Sequence, residues 1–209
     1  MVHIGIDVRL TGYRVGGVST YTRYLIAALA ELNPPEKFTV FHSRHTSATE
    51  RTQFPTATLW TPPHHRLERW ALSAELLRWR LDILHSPDFI PPLRGAKRHI
   101  ITVHDLTFLH YPQHKDADSI RYYNGQIKTA VRQANRILAV SEATKTDLIN
   151  MINVPEEKIA VQLHGVDAGF HPLEPDILQK RRSEFDLPPT YILHVGTLEP
   201  RKNIPALID

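Results

Sequence analysis

Five short segments combine residue types suited to chemistry. In Gly12-Tyr13-Arg14-Val15-Gly16-Gly17-Val18-Ser19-Thr20, glycines stand between an apolar run and a helical pattern. Glycine lets a backbone approach a ligand, and a helix N-terminus offers free N–H groups and a dipole worth about 0.3–1 kcal/mol to an anion. A tight turn would use the same glycines. In Thr102-Val103-His104-Asp105-Leu106, a histidine can donate to a sugar hydroxyl or act as acid or base, and the adjacent carboxylate can orient it. The pair also fits a strand-end histidine satisfied by backbone, with Asp105 capping a turn. Ser141, with Asp147 six residues on, reads by default as the N-cap of a helix. In His164-Gly165-Val166-Asp167 the glycine suggests a turn and Asp167 an Asx-type bond. In Gly196-Thr197-Leu198-Glu199-Pro200-Arg201-Lys202-Asn203, Arg201 and Lys202 at a helix start could cradle a diphosphate, at roughly 1.5–3 kcal/mol per charge-assisted bond. A solvated basic turn fits them equally.

These segments are spaced by alternating strand and helix patterns. Val2–Val8 reads as a buried strand, and Val18, Tyr21, Leu25, Ala28 and Leu32 recur at helical spacing until Asn33-Pro34-Pro35. Strands are expected at Phe38–Phe41, Ala57–Trp60, Asp82–His85, His99–Val103, Arg136–Val140 and Ile159–Val161. Between them, Leu67, Trp70, Ala74, Leu77 and Leu81 mark one amphipathic helix, with the first four expected to pack on the sheet. Ile120, Tyr123, Ile127, Val131 and Ala134 mark another. Ile177–Phe185 suggests a linker helix between prolines, and Tyr191–Val195 a fresh strand. The alternation implies an α/β fold, a Rossmann-like parallel sheet with helices on both faces, whose ligands sit at the carboxyl ends of the strands.

Composition removes several function classes. The 209 residues include no Cys, which excludes disulfide scaffolds, thiol nucleophiles and thiolate metal sites. Met1 leads directly into an apolar strand with no basic n-region, unlike a signal peptide, and no apolar run reaches the ~18 residues of a membrane span. A net charge of +3 and the absence of a nucleic-acid motif give no reason to expect nucleic acid as a partner. Thirteen histidines raise a metal-dependent hydrolase, through His64-His65, His85, His104-Asp105, His110 and His114, but neighbouring histidines chelate poorly and no H-E-x-x-H exists. An NAD-linked oxidoreductase would share the fold class, but G-x-G-x-x-G is absent from the first turn. A nonenzymatic membrane-surface module is a third alternative. Arg66, Arg69, Arg78 and Arg80, interleaved with Trp70 and Trp79, could lie on anionic lipid.

Taken in order, Gly-Gly-Val, Val-His-Asp-Leu, Ser-x5-Asp-Leu, Gly-Val-Asp-x2-Phe-x-Pro and Val-Gly-Thr-Leu-Glu-Pro-Arg-Lys-Asn resemble the retaining glycosyltransferases of family four, the group 1 glycosyltransferases. The resemblance runs the whole length of the chain. It implies half of a GT-B architecture, in which two Rossmann-like domains face each other. Residues 1–172 would be the acceptor-side domain, 173–189 the interdomain linker, and 190–209 the first strand and helix start of an incomplete donor-binding domain. It also implies a hexosyltransferase of polysaccharide assembly that acts with retention. No metal or cofactor would be required. GDP-mannose or a UDP-sugar would be the donor, and a glycan or lipid-linked molecule the acceptor. By position, Gly16 and Gly17 would approach the donor phosphate and sugar, and His104 a hydroxyl of the transferred sugar, with Asp105 beside it. Arg201 and Lys202 would neutralise the leaving diphosphate; Ser141, Asp147, Gly165 and Asp167 complete the motif set. The family's Glu-x7-Glu would fall beyond Asp209, so the chain is expected to be a fragment inactive alone. The expected location is the cytoplasm, peripherally at the inner face of the membrane.

Overall fold

The computed structural model describes the chain except residues 13–15, 46–51, 64, 66, 115–116, 168, 197 and 209, and leaves the side chains of 114, 117–122 and 201 undescribed. Arg66, His64 and Thr197, and the side chains of His114, Ile120 and Arg201, therefore lie outside the described residues. The chain forms two compact units, Met1–His164 and Gly165–Asp209.

The first unit is built on a parallel sheet of seven strands. These are β1 His3–Asp7, β2 Lys37–Ser43, β3 Thr56–Leu59, β4 Leu81–Ser86, β5 Ala96–Val103, β6 Arg136–Ala139 and β7 Ile159–Val161. Their order is β3-β2-β1-β4-β5-β6-β7. The chain thus winds outward from β1 to one edge, returns to β4 beside β1, and winds out the other way. The crevice at that reversal, outside the carboxyl ends of β1 and β4, is where such sheets bind ligands. Helices α1 Gly17–Glu31, α2 Glu68–Leu76, α3 Thr107–His110, α4 Ala117–Gln133 and α5 Glu142–Ile152 connect the strands. Buried on both sides, the strands read as apolar runs. Ile6, Val8, Phe38 and Val40 pack with Ile26 of α1, and Phe41, Leu59, Leu81 and Leu84 with Leu72 and Leu76 of α2. Ile101, Val103 and Ile137 pack with Ile127 of α4 and Leu148 of α5. Before β5, Gly95 takes a φ of +113°, and a Cβ there would meet Leu76 Cβ at 2.7 Å, so the turn slides under α2 only as glycine.

The orientation of α2 corrects two expectations. Leu67, Trp70 and Leu77 do not pack on the sheet; they are 61%, 70% and 63% exposed, and Ala74 is exposed with them. The face turned inward carries Glu68, Arg69, Leu72, Ser73 and Leu76. Arg69 is therefore not a lipid-facing cation. It is 7% exposed, its Nε donates to Pro91 O at 3.0 Å, and its Nη1 and Nη2 reach Gln126 and Gln133. The cause is an ion cluster at the end of β1. Arg9 is only 2% exposed; it donates to Asp7 and to Thr61 O, and its Nη2 lies 2.7 Å from Glu68 Oε1. A buried guanidinium without its carboxylates costs several kcal/mol, about 3–5 for a broken pair. Rotating α2 to bury Trp70 would pull Glu68 off Arg9. Burial pulls the Arg9 pKa down, but Asp7 and Glu68 outweigh it and drive the net shift upward.

The second unit holds α6 Pro175–Glu184 and α7 Pro205–Ile208, joined through exposed chain. Tyr191–Val195, expected as a strand, is exposed and forms none. A strand is completed by its ladder partner, and no described segment supplies one. Among the described residues, no helix is long and apolar enough to cross a membrane.

Candidate functional site

The carboxyl ends of the first unit's strands bring together residues far apart in sequence. His104 follows β5, Pro87 follows β4, His164 follows β7, and Tyr21 stands in the first turns of α1 after β1. The rings of Tyr21 and His104 meet edge to face with centroids 5.0 Å apart. His164 lies 4.8 Å from Tyr21 and 5.5 Å from His104. Behind them, the Tyr21 hydroxyl is 3.3 Å from Thr102 Oγ1, which lies 2.9 Å from Nε2 of the buried His85.

His104 is held at three points. Its Nε2 lies 2.9 Å from Pro87 O. A carbonyl only accepts, so Nε2 carries a proton and donates to it. Tyr21 supports the ring. The backbone is tied from α5, where the Thr144 hydroxyl donates to His104 O at 3.2 Å. Ser141 caps α5 as expected, its Oγ accepting from Thr144 N at 3.1 Å. The serine motif thereby positions the histidine motif. Asp147 adds a second tie, with its Oδ2 2.7 Å from His110 Nε2 at the end of α3.

The environment disfavours charge on the neighbouring imidazoles. Burial pushes His85 down to about 4, with His104 as the second cause. Burial and then His104 lower His164 as well. Burial raises the Tyr21 phenol, and its bond to Thr102 opposes this. Asp105 does not reach the His104 ring; its Oδ1 accepts from Thr107 N at 2.9 Å and so opens α3. The turn-capping alternative thus describes the Asp105 contact, and orientation of His104 falls to Pro87, Tyr21 and Thr144.

Gly16 is the N-cap of α1, in extended backbone, and Gly17 opens the helix. Among the described residues, a Cβ at either would meet nothing within 4 Å, so neither packing against them nor a left-handed φ demands glycine there. In the second unit, Asp167 makes the expected Asx bond, accepting from Gly169 N at 2.6 Å. Among the described residues, nothing lies within 4 Å of a Cβ built at Gly165. Lys202 is exposed at the end of a 3-10 turn, Pro200–Lys202, that also contains Arg201. Among the described residues, no three His, Cys, Asp or Glu side chains converge as a metal site. A hollow of about 780 Å³ runs along α1 and β2, lined by Thr20, Arg23, His42 and Gln53 among others, and includes none of the strand-end residues.

Tyr21, His85 and Pro87 are the residues that sequence motifs missed, while Thr102 stood in the histidine motif without a role. Tyr21 was legible only as part of a helical stripe, and His85 only as one of many histidines. The available signal is topological: last residues of neighbouring parallel strands share one edge.

Comparison with known proteins identifies the family and the fold. Residues 15–170 match the family model described as Glycosyltransferase Family 4. Over 150 residues the chain is 30% identical to the Escherichia coli O-antigen chain mannosyltransferase B, covering 70% of this chain and 37% of that protein. The Anabaena protein Alr3699/HepE, solved in complex with UDP-glucose, superposes with a TM-score of 0.68 at 18% identity, over 100% of this chain and 56% of that one. WaaG, a glycosyltransferase involved in lipopolysaccharide biosynthesis, superposes at 0.61 and 10% identity, over 90% and 52%. At these identities the structural likeness speaks for the fold, that of the amino-terminal half of a GT-B glycosyltransferase. The chain thus spans 37% of its curated relative and about half of these solved structures. By sequence and by fold, this chain belongs to Glycosyltransferase Family 4, the group 1 glycosyltransferases.

Proposed function

We propose that the whole protein transfers a hexose from a nucleotide sugar to a glycan or lipid-linked acceptor, with retention. Family membership supports transfer, and the name of the Escherichia coli relative supports mannose, hence GDP-mannose; UDP-sugars are the alternative donors. Residues 1–172 serve as the acceptor-side domain, 173–189 as linker and 190–209 as the opening of the donor-binding domain. The observation that carries the reading is His104, fixed at a strand-end edge by its Nε2–H bond to Pro87 O, which leaves Nδ1 to hydrogen-bond a sugar hydroxyl.

In this reading the bond from the anomeric carbon to the diphosphate oxygen breaks while the bond to the acceptor oxygen forms on the same face. The acceptor proton passes to the leaving phosphate. Gly16 and Gly17 let the backbone approach the donor phosphate and sugar. Arg201 and Lys202 neutralise the charge that grows on the diphosphate, which lowers the barrier more than it aids ground-state binding. No metal or cofactor is required. The 209-residue chain alone transfers no sugar, since it spans about half the length of the solved relatives. Incubating it, and the whole protein, with labelled GDP-mannose, UDP-glucose and UDP-galactose tests this. Transfer by the whole protein alone is expected, and turnover by the isolated chain would refute the division.

A further inference from the structure

Successive side chains of a strand point to opposite faces, and the end of β4 uses both. Leu84 packs with Leu72 and Leu76 of α2. His85 turns to the other face, where its Nε2 meets Thr102 Oγ1, itself beside the Tyr21 hydroxyl of α1. Ser86 returns to the α2 face. There it lines a small crevice with Asp7, Arg9, Glu68, Pro87 and Asp88. The crevice lies outside the carboxyl ends of β1 and β4, where the strand order reverses. Ser86 is 3% exposed, and among the described residues its Oγ has no hydrogen-bond partner. A buried hydroxyl is costly unless some polar group meets it. The crevice measures about 20 Å³, room for one water-sized group beside Ser86. A larger ligand can insert only a substituent, with its body at the partly exposed rim of Asp7, Leu10 and Asp88.

Charge sets what that substituent can be. Three carboxylates, Asp7, Glu68 and Asp88, border the crevice against the one guanidinium of Arg9. Arg9 is committed to two of them: its Nε and Nη2 donate to Asp7, and Nη2 also to Glu68 Oε1. Asp88 accepts from Phe89 N through Oδ1 at 2.7 Å. An excess of negative charge remains. A metal ion does not fit, because Arg9 holds two of the carboxylates and no three ligating side chains converge among the described residues. We infer that the crevice is an acceptor subsite that takes one hydroxyl or amino group of a neutral or amino sugar at Ser86 and rejects acidic sugars. This rests on the transfer reading and adds the class of acceptor to it. The Ser86 hydroxyl exchanges a hydrogen bond with the inserted group. An ammonium gains from the surrounding carboxylates, whereas a uronic acid or sugar phosphate sets like charges together at short range. The position suits an acceptor, since Pro87, between Ser86 and Asp88, accepts from His104 Nε2 through its carbonyl. The segment Ser86-Pro87-Asp88 thus borders both the crevice and His104, and an acceptor sugar seated there lies next to the sugar that His104 meets.

Amide chemical-shift titration of the 209-residue chain with methyl mannoside, methyl glucosaminide (its amine protonated) and methyl glucuronide tests it. The amides of Ser86, Asp88 and Phe89 should shift with the first two, and glucosaminide should bind more tightly than mannoside. Glucuronide should bind at least about tenfold more weakly than mannoside. Ser86→Ala should weaken mannoside binding about fivefold, the scale of one hydrogen bond. That variant loses a buried hydroxyl with no protein partner, so it should stay folded, and the rest of its spectrum reads this. Asp88→Asn, which keeps an oxygen for Phe89 N, should erase the advantage of glucosaminide over mannoside. In the whole protein, Ser86→Ala should raise the acceptor KM and leave the donor KM unchanged. Absence of shifts at these amides with mannoside and glucosaminide overturns the inference, as does glucuronide binding as tight as that of mannoside. Mannoside binding unchanged in Ser86→Ala also overturns it, giving the crevice to a resident water. Sugar binding as expected, beside a whole protein that transfers nothing, would support the subsite and refute the transfer reading instead.

Discussion

Acid should unfold the first unit through His85. This imidazole is buried at the end of β4 and bonded to Thr102, and burial holds its pKa at about 4 against an ordinary 6.5. The unfolded chain takes up the proton near pH 6.5; the folded chain refuses it until about pH 4. Protons in that window therefore favour the unfolded chain, and stability falls as pH falls. At 1.36 kcal/mol per pKa unit, the loss from this one group is about 2 kcal/mol at pH 5 and approaches about 3 kcal/mol near pH 4. Other groups titrate in the same range; His99 is also held at about 4, by burial and then by Arg69. The comparison must therefore be differential. Urea unfolding of the parent and of His85→Gln, at steps between pH 7 and pH 4.5, isolates the term. Glutamine keeps a polar atom near Thr102 but does not titrate. The variant should start less stable at pH 7 and close most of the gap by pH 4.5. Parallel stability curves for the two proteins across the window would refute the reasoning.

Three further outcomes follow from packing and polar contacts. Arg9→Met should cost about 3–5 kcal/mol in urea unfolding, because Asp7 and Glu68 keep their charges without a partner. Leu76→Ala should cost about 2–5 kcal/mol and Leu77→Ala less than about 0.5, a contrast between adjacent leucines that thermal and urea unfolding read directly. Ser141→Ala should remove about 1 kcal/mol by uncapping α5, and should broaden or shift the His104 ring resonances through Thr144.

The alternation of strands and helices was legible because buried parallel strands are short apolar runs and their connecting helices keep a 3.6-residue period. The parallel sheet and the strand-end placement of His104 follow from that pattern alone. The face of α2 was not legible. Its two sides are both apolar enough to pack, Leu67–Trp70–Ala74–Leu77 against Leu72–Leu76, and the choice is made by Arg9. A buried ion cluster joining residues 7, 9 and 68 leaves no periodic trace in the chain. Ser141 was read correctly as a cap, but its tie to His104 passes through Thr144, a contact between elements separated by β6. Tyr21 and His85 were hidden for the same reason: their roles depend on which strands become neighbours.

The central claim is that His104 meets the sugar being transferred. The direct measurement is steady-state transfer by the whole protein with its best nucleotide sugar, comparing the parent with His104→Ala after both are shown to be folded. The account predicts that the variant loses about 100-fold or more in kcat, the scale set by removing one aligned hydrogen-bonding group from a transition state. A variant that transfers sugar within a few-fold of the parent would contradict it.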